Sequence, residues 1–313
     1  MRSLIVLLLV TVSIAHGAAY SVPSTVDSID WTRVKPVEEL DHYWARLPPE
    51  LQVYRNGTHG THPSGRITNG LEARVGQFPY QALLLTEFGM FTIMCGGTVL
   101  TPNFILTAAH CVMLDQTTKA TGGMAILGAH NRMVMEPTQQ RIRFATSGII
   151  VHPSYTATNF RFDVAMVRLN APLRFNSYVQ PVRLPARTDQ RLFDGIIGTV
   201  SGFGRTNDKD GILPSILRYT INTILSNGAC AARWGSMLVE PHNICLSGDG
   251  GRSACVGDSG GPLTIEEWGG ITYQVGVTSF GSGNGCTDGM PTVYGRVSYF
   301  LDWIRANSDC LAC

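Results

Sequence analysis

Charge is scarce in this chain, and so is any imbalance in it. Asp, Glu, Lys and Arg make up 15% of the 313 residues, with 24 basic against 23 acidic side chains. That balance excludes the broad positive field with which a protein holds nucleic acid or an anionic membrane. The 44% hydrophobic content excludes a disordered chain and is enough for a sizeable core. Long apolar runs are missing beyond the first residues, so no later stretch has transmembrane length. Met1-Arg2-Ser3 is a basic start, Leu4 to Ile14 is apolar but too short to span a bilayer, and Ala15-His16-Gly17 supplies small residues for cleavage. Residues 1–17 therefore read as a signal peptide, and the protein is expected to be secreted and extracellular. Cysteine is absent from the first 94 residues; all eight lie from Cys95 onward, an even number that an exported chain is expected to pair.

What is present points to one kind of chemistry. Gly257-Asp258-Ser259-Gly260-Gly261-Pro262 surrounds a serine with glycines. A serine hydroxyl is a weak nucleophile, so Ser259 needs a base to take its proton and N–H groups to hold the resulting oxyanion. Gly257 allows a backbone conformation closed to residues with a Cβ, so its N–H and that of Ser259 can converge on one space. Of the eight histidines, only His110 sits among small residues beside a cysteine, in Thr107-Ala108-Ala109-His110-Cys111. His130, His152 and His242, next to Asn131, Pro153 and Pro241, read as surface loop residues. Asp163 enters the apolar run Val164-Ala165-Met166-Val167, which suits either a strand-edge solvation point or a buried acid with a partner.

Short β-rich runs at Gln81–Leu85, Thr98–Leu106, Val164–Leu169, Gly195–Val200 and Ile271–Ser279 are separated by Gly, Pro and Asn turns, which predicts an all-β barrel or sandwich. Only the end differs. Val297, Phe300, Leu301 and Ile304 recur at helical spacing, with Ser298 as the expected N-cap, and predict a short C-terminal helix.

Six segments in order, Ile67-Thr68-Asn69-Gly70, Cys95-Gly96-Gly97, Thr107 to Cys111, Asp163 to Met166, Gly257 to Pro262 and Ser279-Phe280-Gly281, resemble the trypsin/chymotrypsin family of serine peptidases. The resemblance runs from Ile67 to Ile304. It implies a chymotrypsin-like fold: two six-stranded antiparallel β-barrels with a short C-terminal helix and the active site between them. It also implies a serine endopeptidase acting through an acyl-enzyme, with His110 as general base and then acid, Asp163 orienting the imidazole, Ser259 as nucleophile, and the Gly257 and Ser259 N–H groups as oxyanion hole. Three disulfides are implied, Cys95–Cys111, Cys230–Cys245 and Cys255–Cys286. Cys310 and Cys313 depart from the family pattern, leaving a local bond or an intermolecular one. No cofactor and no metal is implied; Ala129 and Gln139 stand where calcium-binding members carry carboxylates. The partners implied are protein or peptide substrates, a trypsin-like activating protease and protein inhibitors.

Residues 18–66 read as an activation pro-segment before a peptidase domain over 67–313. Thr58 to Arg66 is rich in Gly, Pro and Ser, as suits an exposed, cleavable linker. The resemblance makes Arg66–Ile67 the activation bond: the new Ile67 α-amine would pair with Asp258 and order the oxyanion hole. Lacking cysteine, the pro-segment cannot be a disulfide-built clip domain and is expected to leave after the cut. Asn56-Gly57-Thr58 is the only N-glycosylation sequon. Trp31 to Leu51 suggests a partly helical cover over the enzyme.

The resemblance also places Ser253 at the base of the specificity pocket, Gly281 at its mouth and Thr292 on its wall. Ser253 offers no counterion for Lys or Arg, Gly281 leaves the entrance open, and Thr292 shortens the pocket. Medium apolar residues such as Leu, Met or Phe are expected before the cut, with an elastase-like preference for Ala or Val as the alternative. Ser279, Phe280 and Gly281 would pair with the substrate backbone as an added strand. The phrases Leu100 to Leu106 and Tyr299 to Ile304 are similar to arthropod, brachyurin-like digestive peptidases. A non-catalytic secreted binding homologue is the reading from a different class, and the intact triad residues and Gly257 speak against it.

Overall fold

The computed structural model describes residues 29–46, 70–208 and 211–310. In chain order the strands are β1 Val34–Pro36, β2 Leu71–Glu72, β3 Gln81–Phe88, β4 Phe91–Val99, β5 Phe104–Thr107, β6 Gly122–Leu127, β7 Gln140–Ala145, β8 Ile149–Val151, β9 Ala165–Arg168, β10 Ile197–Gly202, β11 Arg218–Leu225, β12 Asn243–Leu246, β13 Pro262–Glu267, β14 Ile271–Phe280 and β15 Thr292–Arg296. They form two barrel-like sheets. The first runs β7-β6-β3-β4-β5-β9-β8, with β1 joining β4 in parallel; the second runs β10-β13-β14-β15-β12-β11-β2. A further β10–β11 pairing closes six strands of the second sheet into a ring, with β2 added outside it. The first sheet exceeds the expected six strands through the three-residue β8 and the N-terminal β1.

Each barrel is filled from its inner faces. Leu84, Ile93, Ile105, Leu106 and Val167 are buried in the first, and Val200, Ile224, Ile244, Leu263 and Val275 in the second. Burying side chains of this size stabilises by roughly 1.5–3 kcal/mol each. Where the barrels meet, the glycine pairs allow the main chains to touch. Gly96 N donates to Ser259 O at 2.7 Å, and a Cβ on Gly96 would lie 2.8 Å from the Cα of Gly261. Ser201 Oγ donates to Gln81 Oε1 at 2.7 Å and ties the same two walls together.

Three local expectations need correction. The Thr98–Leu106 run is two strands, because Pro102 has no N–H for a ladder and Thr101 Oγ1 instead accepts the N–H groups of Asn103 and Phe104, each at 3.1 Å. The C-terminal helix begins at Val297, directly after β15, so its cap is Arg296 and Ser298 lies inside the first turn. Its buried face is Val297, Phe300, Leu301 and Ile304, as the spacing predicts. The three histidines read as surface residues are also misplaced. His242 is 4% exposed and stacks on Phe162, centroids 4.5 Å apart, while His152 stacks on Phe162 at 5.4 Å and lies edge-on to Phe300 at 5.3 Å. His130 is half-buried, with Nε2 2.9 Å from Ala73 O. Residues 31–44 are partly helical, as expected: two 3-10 turns, Trp31–Arg33 and Val37–Glu39, flank β1, and one α-turn spans Asp41–Trp44, while residues 47–51 lie outside the described residues.

Candidate active site

Strand pairing brings the first two site residues together. Thr107 of β5 faces Ala165 of β9, so the 3-10 turn Ala109–Cys111 that follows β5 lies next to Asp163, which precedes β9. The Cys95–Cys111 bond fastens that turn to β4. Asp163 then grips His110 twice: Oδ1 accepts the His110 backbone N–H at 2.9 Å, and Oδ2 lies 2.7 Å from Nδ1. Ser279 Oγ donates to the same Oδ2 at 2.6 Å. Asp163 is 2% exposed and His110 fully buried. Burial alone would raise the Asp163 carboxyl, but the imidazole and the three hydrogen bonds outweigh it and hold the group below the ordinary range. A carboxylate on Nδ1 fixes that nitrogen as the donor and leaves Nε2 to act as the base.

Ser259 arrives from the other barrel, in the turn before β13. Asp258 N donates to Cys255 O and Gly261 N to Asp258 O, both at 2.9 Å, which closes the turn tightly. Gly257 has φ +100°, the left-handed region that only glycine enters without strain, and this aims its N–H into the cleft. Among the described residues, Ser259 Oγ makes no hydrogen bond to the imidazole. It donates instead to Glu38 Oε1 at 2.5 Å, and Glu38 Oε2 accepts Gly257 N at 3.1 Å. Burial pushes the Glu38 carboxyl above its ordinary range, opposed by the Ser259 hydrogen bond.

Asp258 points away from the cleft into the protein. Its Oδ1 accepts Gly204 N at 2.8 Å and its Oδ2 accepts Cys255 N at 2.9 Å. It is 1% exposed, and among the described residues no ion pair reaches it. Burial pushes its carboxyl up to about 7 despite those two donors. Arg66, Ile67 and Asn56 lie outside the described residues.

The pocket beside Ser259 is lined by Ser253, Val256, Gly281 and Thr292 among others, with Tyr43 and Trp44 from the N-terminal segment also against it. Ser253 Oγ and Thr292 Oγ1 meet at 2.6 Å, closing the base with two small hydroxyls. A Cβ on Gly281 would meet nothing within 4 Å, so the mouth is open. Asp288 also lines the pocket, but its carboxylate is held by Ser282 Oγ and by Met290 N. The Cys255–Cys286 bond and Asp208, which accepts Cys286 N at 2.7 Å and Thr287 N at 3.1 Å, brace the outer wall. Cys230–Cys245 is the third bond, tying the helix Asn227–Trp234 to β12. Each such crosslink contributes about 2–4 kcal/mol. Cys310 is buried and not a free thiol; its proposed relation to Cys313 falls outside the described residues.

Sequence reasoning misses three residues here, Phe160, Asp208 and Glu38, and one role, that of the Ser279 hydroxyl. Phe160 sits edge-on to His110 and stacks on Phe280 at 5.7 Å, walling the cleft next to the imidazole. The Ser279 hydroxyl and Asp208 act on Asp163 and the pocket wall through contacts far apart in sequence. Glu38 belongs to a segment with no sequence signal for active-site chemistry. Among the described residues, two groups of potential metal ligands occur, one of His110 with Cys95 and Cys111 and one of Asp208 with Cys255 and Cys286. Their sulfurs are engaged in disulfides and offer no thiolate. In the loop where calcium-binding members carry carboxylates, the Gln139 amide donates to Asn131 O at 3.0 Å and Val134 O at 2.8 Å, and Glu136 accepts the N–H groups of His130 and Asn131.

No described helix is long and apolar enough to cross a membrane. Comparison with known proteins places these features in a family. The family model for Trypsin matches residues 67–304. The chain is 35% identical to a chymotrypsin of Phaedon cochleariae, over 84% of this chain and 90% of that protein. It is 37% identical to a brachyurin of Leptuca pugilator, over 77% of this chain and 98% of that protein. A solved structure of HL collagenase superposes with a TM-score of 0.66 at 32% identity, covering 77% of this chain and 97% of that one. With two β-barrels, a C-terminal helix and a matched domain spanning nearly everything after residue 66, the chain belongs to the trypsin family of chymotrypsin-fold serine endopeptidases.

Proposed function

We propose that this chain is a secreted zymogen whose peptidase domain, residues 67–313, hydrolyses peptide bonds through Ser259, His110 and Asp163. The observation that carries the reading is the double grip of buried Asp163 on His110, at 2.9 and 2.7 Å, next to a serine whose turn presents the Gly257 N–H. His110 takes the Ser259 proton as the hydroxyl oxygen attacks the scissile carbonyl, and Asp163 stabilises the imidazolium. The Gly257 and Ser259 N–H groups hold the oxyanion. His110 then gives its proton to the leaving amine, and water, deprotonated by the same imidazole, releases the acyl group. Ser279, Phe280 and Gly281 hold the substrate backbone.

Activation by a trypsin-like protease at Arg66–Ile67 is supported by the state of Asp258. A carboxyl buried with two N–H donors and, among the described residues, no cation, with a pKa near 7, is poised for the positive charge that a new Ile67 ammonium supplies. The leader over residues 1–17 and the pro-segment over 18–66 belong to the same reading. A digestive role belongs to the same reading, with protein inhibitors as further partners.

The pocket supports medium apolar residues before the cut. Ser253 and Thr292 cap its base through their 2.6 Å contact, while the open Gly281 mouth admits the side chain. The test is to express the chain from Ala18, cut it with trypsin, identify Ile67 as the new N-terminus, and profile cleavage of a peptide library. Activity is expected only after the cut, with Leu, Met or Phe preferred. A clean Ile67 terminus with no hydrolysis of any peptide overturns the enzyme reading in favour of a binding module. Thr292→Gly is expected to deepen the pocket and raise kcat/KM for Phe or Tyr relative to Leu by about tenfold, the scale of one to two methylenes of apolar contact. An unchanged ratio removes Thr292 from the pocket base.

A further inference from the structure

Residues 29–46 make a built contact with the cleft. β1 runs parallel to β4, with Val34 opposite Thr92 and Pro36 opposite Met94, and Val37 is fully buried behind it. The 3-10 turn Val37–Glu39 then aims Glu38 inward, so that its two carboxylate oxygens take the Ser259 hydroxyl and the Gly257 N–H. Trp44 Nε1 donates to Glu38 O at 2.7 Å and braces the turn from its far side. Tyr43 is 2% exposed; its hydroxyl donates to Ser279 O at 3.3 Å, and its ring packs 5.4 Å from His110 and 5.0 Å from Phe160. Charges fasten the segment at its middle and its end: Arg205 to Glu39 at 2.6 Å, and Arg46 to the carbonyls of Met113 and Leu114 at 2.8 and 2.6 Å.

This contact has the chemistry of an inhibitor and lacks that of a substrate. The main chain at Glu38 is coiled in a 3-10 turn, so a side chain and not a peptide carbonyl reaches Ser259. A carboxylate is no acyl donor to a serine hydroxyl, yet it brings negative charge to the N–H that serves the reaction's oxyanion. Asp258 meanwhile already faces inward, and Glu38 accepts the Gly257 N–H, so the space beside Ser259 is formed and filled.

We propose that residues 29–46 are an active-site ligand in their own right: after the Arg66–Ile67 cut, the segment stays in the cleft without a covalent tie, Glu38 in the place of the oxyanion, and inhibits until it dissociates. The inference rests on the reading of Ser259 and of the activation bond given above. The partner it assigns to the cleft is this chain's own released segment, an acidic turn followed by Tyr43 and Trp44. Activation then has two stages, a cut and a concentration-dependent release.

The test uses the full chain from Ala18, cut by trypsin, as wild type, Glu38→Gln and Glu38→Ala. The peptidase part, 67–313, is the same sequence in all three, so equal activity after removal of the cut segment controls for folding. Wild type, cut at about 10 μM, is expected to gain about tenfold or more in specific activity on dilution to about 10 nM, and its segment to co-elute with the peptidase on gel filtration at the higher concentration. Glu38→Gln and Glu38→Ala are expected to show full activity without dilution and no co-elution, since a charged hydrogen-bonding partner is lost. Adding the purified wild-type segment back restores inhibition, competitive with peptide substrate. Constant specific activity on dilution, or Glu38→Ala inhibited as strongly as wild type, overturns the inference. A peptidase silent even when freed of the segment overturns the reading of Ser259 instead, and co-elution of wild type against Glu38→Ala then still decides the docking.

Discussion

Ser259→Ala is expected to lower kcat of the cut, segment-free enzyme by about 10⁶-fold, the scale of removing a nucleophile from a Ser-His-Asp triad. Three features set that size. The group removed is the one that forms the covalent bond, so no remaining side chain substitutes for it. Of its two supports, the imidazole held by Asp163 loses the hydroxyl it deprotonates, while the Gly257 N–H still serves a slow attack by water and sets the residual rate. On the proposed reading substrate is bound by other groups, the pocket residues and the Ser279 to Gly281 backbone, so KM is expected to change little. Stability of the uncut chain is expected to fall as well, because the substitution deletes the 2.5 Å hydrogen bond to buried Glu38 and leaves that carboxyl less satisfied. The checks are single-turnover kinetics with a peptide ester and thermal melting of the uncut chain. A loss of less than about a hundredfold would mean that another group carries the attack.

Asp258→Asn is expected to separate activation from folding. In the cut enzyme, Asp258 would face the Ile67 ammonium in a site 1% exposed. Removing one member of such a buried pair costs about 3–5 kcal/mol, so activity at pH 8 is expected to fall by about a hundredfold or more. In the uncut chain the sign is reversed. The folded pKa of Asp258, about 7, lies above the ordinary carboxylate value of 3.8. Its contribution to stability is therefore fully present below about 4 and is lost as pH rises through 7, because ionising the group means burying an unpaired charge. Wild-type zymogen is expected to lose thermal stability between pH 4 and 7 relative to Asp258→Asn, and the cut wild type to show no such decline. Coincident melting profiles for the two uncut chains across that range would show that Asp258 is already neutralised before the cut.

Much of this molecule is legible along the chain. The nucleophile loop declares itself because its requirements are local: one serine, one glycine at φ +100°, and a tight turn closed by neighbouring residues. The C-terminal helix is legible for the same reason, its buried face repeating every three or four residues. The ends of elements are less so. Ser298 fits a cap by residue type, yet β15 runs straight into the helix and Arg296 takes that position, its guanidinium bound to Asn243 O, Leu192 O and Asn227 Oδ1. Those partners are 53, 104 and 69 residues away, which no local pattern encodes.

The sequence by itself determined the all-β class, the family and the residue types that meet in the cleft, because hydrophobic period, turn chemistry and glycine conformation act over a few neighbouring positions. Tertiary structure decided the rest. It turned His242 inward onto Phe162, set the pocket depth by bringing Ser253 against Thr292, and gave the Ser279 hydroxyl to Asp163. Above all it carried Glu38 across 221 residues of chain to Ser259. An isolated glutamate on an N-terminal segment is by composition a solvated charge. It becomes an active-site group only because β1 pairs with β4 and the following turn has a buried hydroxyl and an N–H waiting for an acceptor.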